Sequence, residues 1–188
     1  MIVYQKISLT KHIKPMTNYK ELLKDIKTFI FDYDGVLTEG IITLTEEGEP
    51  LRTANVKDGY ALQLAVKKGY RIAVISGGKS RSMENRLASL GIKDVFLGVE
   101  HKVEVFNKYL EENNLKKEEV IYMGDDIPDY HVMKMASVAV CPADAAEEIR
   151  GISHYISHYS GGKGCVRDII EQVLKLQQNW MNDDAFKW

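Results

Sequence analysis

Phe29-Ile30-Phe31-Asp32-Tyr33-Asp34-Gly35-Val36-Leu37-Thr38 decides how this chain folds. A short apolar run of strand formers ends in two carboxylates one residue apart, and Gly35 then lets the backbone turn. At i and i+2 near a strand end, both carboxylates can face one cleft. Working outward, the same cadence recurs. Strand-like runs at 28–31, 71–75, 94–97, 120–123 and 137–140, with a weaker one at 155–156, alternate with amphipathic stretches. Those stretches cover 59–68, 80–90, 102–113, 129–135, 143–150 and 166 to about 176. This rhythm predicts an α/β fold, a three-layer α/β/α arrangement with a mostly parallel sheet. Functional residues are then expected at the C-terminal ends of the strands.

The length, 188 residues, suits one compact domain with a sizeable core. A composition of 45% hydrophobic and 28% charged residues excludes a disordered, collagen-like or supercharged chain. Lys and Arg number 25 and Asp and Glu 27, a formal charge of −2. That near-balance predicts no nucleic-acid partner and no anionic membrane, so any phosphate must be gripped locally. The only cysteines, Cys141 and Cys165, have no CxxC spacing. Neither a disulfide scaffold nor a thiolate zinc site is expected, which suits a reducing compartment. No run approaches the roughly 20 apolar residues of a membrane span, and residues 1–16 lack a signal-peptide core, so a cytoplasmic location is expected.

Two regions break the rhythm. Between residues 40 and 56, apolar runs flank Glu46-Glu47-Gly48-Glu49, which reads as a hairpin inserted after the first strand. It is too short to be a cap domain. A lone two-stranded ribbon is marginal in water, so this one is expected to pack against another subunit. Outside a core domain over 27–176 lie an N-terminal extension, 1–26, and a tail, 177–188. A helix is expected from Tyr19 to Asp25, and the tail's Trp180, Phe186 and Trp188 are expected to dock on the body or on a neighbour.

The strand ends carry the chemistry. A carboxylate such as Asp32 can attack phosphorus, while a second, Asp34, can protonate the departing oxygen and later activate water. A lone DxD would read as turn aspartates; the apolar run before it and Gly35-Val36-Leu37-Thr38 after it argue otherwise. The next strand ends in Ser76-Gly77-Gly78-Lys79-Ser80, where a hydroxyl and unhindered N–H groups at a helix entry make an anion site. Ser80 is also a natural N-cap. Lys102, after the third strand, can neutralise phosphate charge. Gly124-Asp125-Asp126-Ile127-Pro128-Asp129 puts three acids within five residues. They repel one another without a compensating cation or donors, and oxygen-only ligands near a phosphate suit Mg²⁺.

In this order on successive strand ends, these motifs resemble the four motifs of the haloacid dehalogenase superfamily, over about residues 27–176. The resemblance implies a Rossmann-like phosphatase. It makes Asp32 the nucleophile that forms an aspartyl-phosphate and Asp34 the acid/base. Ser76 and Lys102 would hold phosphoryl oxygens, and Mg²⁺ would sit on Asp32, the backbone carbonyl of Asp34 and Asp125, supported by Asp126. A narrower likeness runs from Thr38-Glu39-Gly40 through Asn55-Val56-Lys57-Asp58-Gly59-Tyr60 to Gly161-Gly162-Lys163-Gly164-Cys165-Val166-Arg167-Asp168. That pattern is similar to the cap-less phosphatases of 2-keto-3-deoxy sugar acids, whose octulosonate group serves lipopolysaccharide synthesis. It implies a homotetramer in which one subunit's hairpin covers the next subunit's site. A small phosphorylated sugar acid is the implied partner, contacted by Ser76, Gly77, Lys102, Asn55, Lys57, Asp58, Lys79 and Arg167. The eight-carbon octulosonate 8-phosphate is the implied substrate, with neuraminate-type 9-phosphates as the alternative. The octulosonate group usually reads Thr-Gly-Arg-Lys where this chain has Ser76-Gly77-Gly78-Lys79, and arginine where it has Lys57. A receiver-like phosphoaspartate module and a partner-binding domain are readings of a different class. A receiver's aspartate usually follows its third strand, whereas this DxD pair follows the first.

Overall fold

The computed structural model describes residues 18–46, 48 and 50–187. The first seventeen residues of the expected extension, and Trp188 of the tail, lie outside them. Six strands form one sheet: β1 (Thr28–Phe31), β4 (Arg71–Ser76), β5 (Asp94–Leu97), β6 (Val120–Met123), β7 (Val138–Cys141) and β8 (Tyr155–Ile156). They run in the order β5-β4-β1-β6-β7-β8, and every neighbouring pair is parallel. A central parallel strand is covered on both faces, and β1 is buried at all four positions. Alternation decides which side chain meets which layer. Phe29 and Phe31 join one core with α2 (Val56–Lys67), α3 (Arg81–Ser89) and α7 (Cys165–Leu176). Ile30 joins the other, with α4 (Lys102–Glu112), α5 (Tyr130–Met133) and α6 (Glu147–Ile152). The fold is the expected α/β, Rossmann-like three-layer arrangement.

The chain steps from β1 outward to β4 and β5, then returns to β6 on the other side of β1. That reversal leaves a crevice beyond the carboxyl ends of β1, β4 and β6. In register, Phe31 faces Val74 on one side and Met123 on the other, so the residues that follow these strands leave the sheet at about the same height.

Several boundaries differ from the sequence reading. Helix α2 starts at Val56, three residues early, because the Asn55 side chain accepts from the amides of Lys57 and Asp58 and caps it. Helix α6 starts at Glu147 instead of 143, and α5 shrinks to one turn behind a 3-10 turn over Ile127–Asp129. Strand β7 lies one residue later than expected. The hairpin is real but minimal, with β2 (Thr43–Leu44) antiparallel to β3 (Pro50–Leu51). Residues 19–25 form a helical turn, α1 (Tyr19–Leu22), and a 3-10 turn; Leu23 and Ile26 sink into the core although they precede the domain boundary read from sequence. The tail folds back on its own chain: Trp180 and Ala185 belong to the α2/α7 core, while Phe186 is exposed.

Candidate active site

The crevice holds a cleft of about 450 Å³ lined by, among others, Asp32, Asp34, Ser76, Gly77, Lys102 and Asp125. Asp32 is the first residue beyond β1, its amide bonded to the Met123 carbonyl at 2.9 Å. Ser76 closes β4 fully buried, and its hydroxyl accepts from the Gly78 amide at 3.1 Å. Lys102 opens α4 and points its ammonium inward, 2.9 Å from Asp32 Oδ1 and 2.8 Å from Asp129 Oδ1. Tyr122, on β6, donates to the same Asp129 oxygen at 2.8 Å. Four strand or helix termini thus converge on one charged point.

The turn after Asp32 is held by contact. Gly35 has φ +87, and a Cβ there would lie 2.0 Å from Asp125 Oδ2. Gly161 supports the loop from outside: a Cβ on it would meet the Gly35 carbonyl oxygen at 1.9 Å. The glycine-rich segment therefore packs directly beneath the DxD turn.

Electrostatically the site is short of positive charge. Asp32, Asp125 and Asp129 can each place a carboxylate oxygen within 4.8 Å of the others, with Lys102 as their close cation. Burial, and then the charge of Asp129, pushes Asp32 up to about 6 despite Lys102. Burial, and then the charge of Asp32, pushes Asp125 up to about 8. Burial draws Lys102 down, but the two carboxylates outweigh it and its pKa is raised. Asp32 Oδ1 and Asp125 Oδ1 are buried without a hydrogen bond; the Lys102–Asp32 contact is an ion pair outside hydrogen-bonding geometry. Asp32 Oδ1, held only by the Lys102 ion pair, and the unbonded Asp125 Oδ1 belong to carboxylates close enough to one another to fit a hard cation. Asp129 is already committed, with Oδ1 taken by Lys102 and Tyr122 and Oδ2 reached by the Asp125 amide at 3.4 Å.

The remaining sequence candidates divide. Asp126 is exposed and caps the Ile127 amide at 2.8 Å; the buried acid of the cluster is Asp129, four residues after Asp125. Lys79 sits exposed beside Gly98 and does not line the cleft. Asn55, Lys57, Asp58 and Arg167 do not line the cleft of their own chain. Asn55 caps α2 and donates to the Gly162 carbonyl at 3.0 Å. Asp58 is 1% exposed and accepts from the Gly164 and Arg167 amides at 3.1 and 2.7 Å, which fastens the start of α7. Lys57 and Arg167 line a separate groove, and the Arg167 guanidinium lies over the Tyr60 and Trp180 rings. One contact escaped the sequence reading: Arg52, just past β3, grips Asp34 with Nε at 2.6 Å from Oδ1 and a second nitrogen at 2.9 Å from Oδ2. Nothing in the local sequence signals that pair, because the hairpin's return path creates it.

Known proteins resemble this chain in sequence and fold. The family model of haloacid dehalogenase-like hydrolases matches residues 59–143, a stretch that holds Ser76, Lys102 and Asp125 and starts after the DxD turn. The 3-deoxy-D-manno-octulosonate 8-phosphate phosphatase KdsC of Salmonella typhi is 36% identical over 154 residues, 82% of each chain. The chain belongs to the haloacid dehalogenase-like phosphatases of the KdsC family. Solved members of the family share the fold. The octulosonate 8-phosphate phosphatase of Moraxella catarrhalis, in complex with a magnesium ion, a phosphate ion and a KDO molecule, has a TM-score of 0.83 at 31% identity, over 85% of this chain and 92% of that one. The cobalt-bound octulosonate 8-phosphate phosphatase of Haemophilus influenzae has a TM-score of 0.83 at 28% identity, over 88% and 98%. Among the described residues no helix of this phosphatase is long and apolar enough to cross a membrane.

Proposed function

We propose that this phosphatase hydrolyses 3-deoxy-D-manno-octulosonate 8-phosphate through an aspartyl-phosphate on Asp32, with Mg²⁺ as cofactor. The observation that carries the reading is the placement of Asp32: buried one residue beyond the central strand, ion-paired with Lys102 and facing Asp125. The similarity to KdsC enzymes supplies the substrate.

The residues divide the work. An Asp32 carboxylate oxygen attacks phosphorus, the bond from phosphorus to the sugar oxygen breaks, and that oxygen takes the proton of Asp34, which enters this step as the neutral carboxylic acid. Asp34 then removes a proton from water, whose oxygen attacks the same phosphorus, releasing phosphate and regenerating Asp32. Ser76 and the Gly77 amide hold the phosphoryl oxygens, and Lys102 offsets their charge as well as that of Asp32. Asp32 and Asp125, with the backbone carbonyl of Asp34, would hold Mg²⁺, and Asp126 supports them from the surface. When bound, the ion neutralises the crowded carboxylates and polarises the phosphoryl group. Lys102 and Tyr122 keep Asp129 oriented beside that site.

Assembly completes the reading. Ile41, Leu44 and Leu51 are 68%, 80% and 54% exposed on the hairpin. A homotetramer in which each hairpin seats on a neighbour buries them and covers the neighbour's cleft. Lys57 and Arg167, outside their own cleft, would then contact sugar across the subunit boundary.

The test is phosphate release with Mg²⁺ from octulosonate 8-phosphate, two neuraminate-type 9-phosphates and simple sugar phosphates, with a chelator arm. A metal-dependent preference for the octulosonate ester is expected. Preference for a nine-carbon ester moves the substrate, and release that survives chelation removes Mg²⁺ from the reading.

A further inference from the structure

The Arg52–Asp34 pair ties the return path of the hairpin to the turn after β1. Arg52 leaves the sequence of the hairpin one residue after β3, turns back and buries its side chain to 7% exposure against the acid/base candidate. Its contact is bidentate, one nitrogen on each carboxylate oxygen, the planar fork that distinguishes arginine from lysine in carboxylate recognition. The pair also explains Gly78. A Cβ there would lie 2.8 Å from Asp34 Oδ2 and 3.3 Å from an Arg52 nitrogen, so a side chain at 78 would wedge into the space the pair occupies. With both of its oxygens taken by N–H donors, Asp34 faces Arg52 in place of a leaving oxygen. A productive complex must therefore give Arg52 another anion.

Resting on the reading above, we propose that Arg52 recognises the carboxylate of the sugar-acid substrate. In the free protein Asp34 occupies the guanidinium fork. The incoming carboxylate replaces Asp34 there, which orients the substrate and opens Asp34 to the ester oxygen. Arg52 is thus a specificity-determining residue delivered by the hairpin, and Gly78 is the space that lets it reach. Lys102 cannot serve, since it is committed to Asp32 and Asp129 at the bottom of the cleft.

The experiment compares kcat/KM for octulosonate 8-phosphate, which carries a carboxylate, with that for p-nitrophenyl phosphate, which does not. Wild type, Arg52→Ala and Arg52→Lys are measured side by side, with Arg52→Gln replacing the alanine variant if that variant fails to fold. Arg52→Ala is expected to lower the ratio of the two by at least about 10-fold, mainly through KM for the octulosonate ester, with Arg52→Lys recovering part of it. A wild type that prefers the octulosonate ester, with a ratio unmoved in both variants, overturns the role of Arg52 and leaves the substrate reading standing. A wild type with no preference for that ester removes the substrate reading and this inference with it.

Discussion

The turn after β1 and the hairpin a few residues later break the rule of apolar inside and polar outside in opposite directions. The turn buries charge against the acids that follow β6: Asp32 is 8% exposed and Asp129 1%, and carboxylate oxygens of Asp32 and Asp125 lack hydrogen bonds. The hairpin exposes apolar surface, with Leu44 at 80%. Neither arrangement lowers the free energy of an isolated, unliganded subunit. On the proposed reading each would be completed by something added: a cation and an anionic ester in the turn, a second subunit on the hairpin. Regions that look wrong for folding in opposite senses thus point to different kinds of partner.

The largest expected effect breaks the first half of this comparison. Asp32→Asn should lower turnover by at least about 10³-fold, as loss of a nucleophile does. It also removes one of three adjacent negative charges, so thermal melting of the metal-free protein should show a midpoint equal to or above wild type. A variant that melts clearly earlier would mean that Asp32 stabilises the fold. Next comes Gly161→Ala. The new methyl would sit 1.9 Å from the Gly35 carbonyl oxygen, a backbone atom that cannot swing aside. Overpacking of this sort should cost about 3 kcal/mol by denaturant titration and lower turnover as well, because the displaced turn carries Asp34. A stable, fully active variant would show that the glycine-rich segment does not support the turn.

Asp58 sharpens the contrast between a satisfied and an unsatisfied buried acid. It is more buried than Asp32, yet two backbone amides at the start of α7 meet its oxygens. An asparagine offers only one acceptor there, so Asp58→Asn should cost about 1 kcal/mol, whereas Asp32→Asn costs nothing. The pH dependence has a definite sign. Burial raises the Asp58 pKa above 3.8 in spite of its two hydrogen bonds, so the folded protein holds this proton more tightly than the unfolded chain. Its contribution to stability is then fully present below 3.8 and declines as pH rises through the folded value, and the gap between wild type and Asp58→Asn should narrow over that window.

How much of this was legible from sequence depends on the range of the interactions. The sheet could be read because each strand is a local apolar run, and β1, β5 and β6 begin and end where the residues predict. The sites of Asp32, Ser76, Lys102 and Asp125 follow from strand ends, since a parallel sheet with this strand order brings those ends together. Asp129 was visible as a member of an acidic cluster. That it faces inward while Asp126 faces solvent depends on a single 3-10 turn over Ile127–Asp129, which is below the resolution of periodicity. The resemblance made Asn55 and Asp58 substrate contacts; in the fold Asn55 caps α2 locally, while Asp58 meets two amides at the start of α7, a pairing that depends on α7 arriving from more than a hundred residues away. Arg52 was invisible for the same reason. Eighteen residues separate it from Asp34, and no local rule dictates how a loop returns.

The smallest effect on the folded subunit is expected at the hairpin, and it separates folding from assembly most cleanly. Leu44 and Leu51 project from two-residue strands and contribute little to either core, so Leu44→Ser with Leu51→Ser should change the stability of the isolated subunit by no more than about 0.5 kcal/mol. If the hairpin seats on a neighbour, the same pair of changes should shift sedimentation from tetramer toward monomer and lower turnover in step, with activity recovering as protein concentration is raised. A tetramer that persists at low concentration would place the interface elsewhere, and dissociation without loss of turnover would show that the cleft is complete within one chain. Because Arg52 lies one residue past Leu51, the double variant also tests whether seating the hairpin is what holds the guanidinium over Asp34. In that event the dissociated subunit should lose preference for the carboxylate-bearing ester while it still folds.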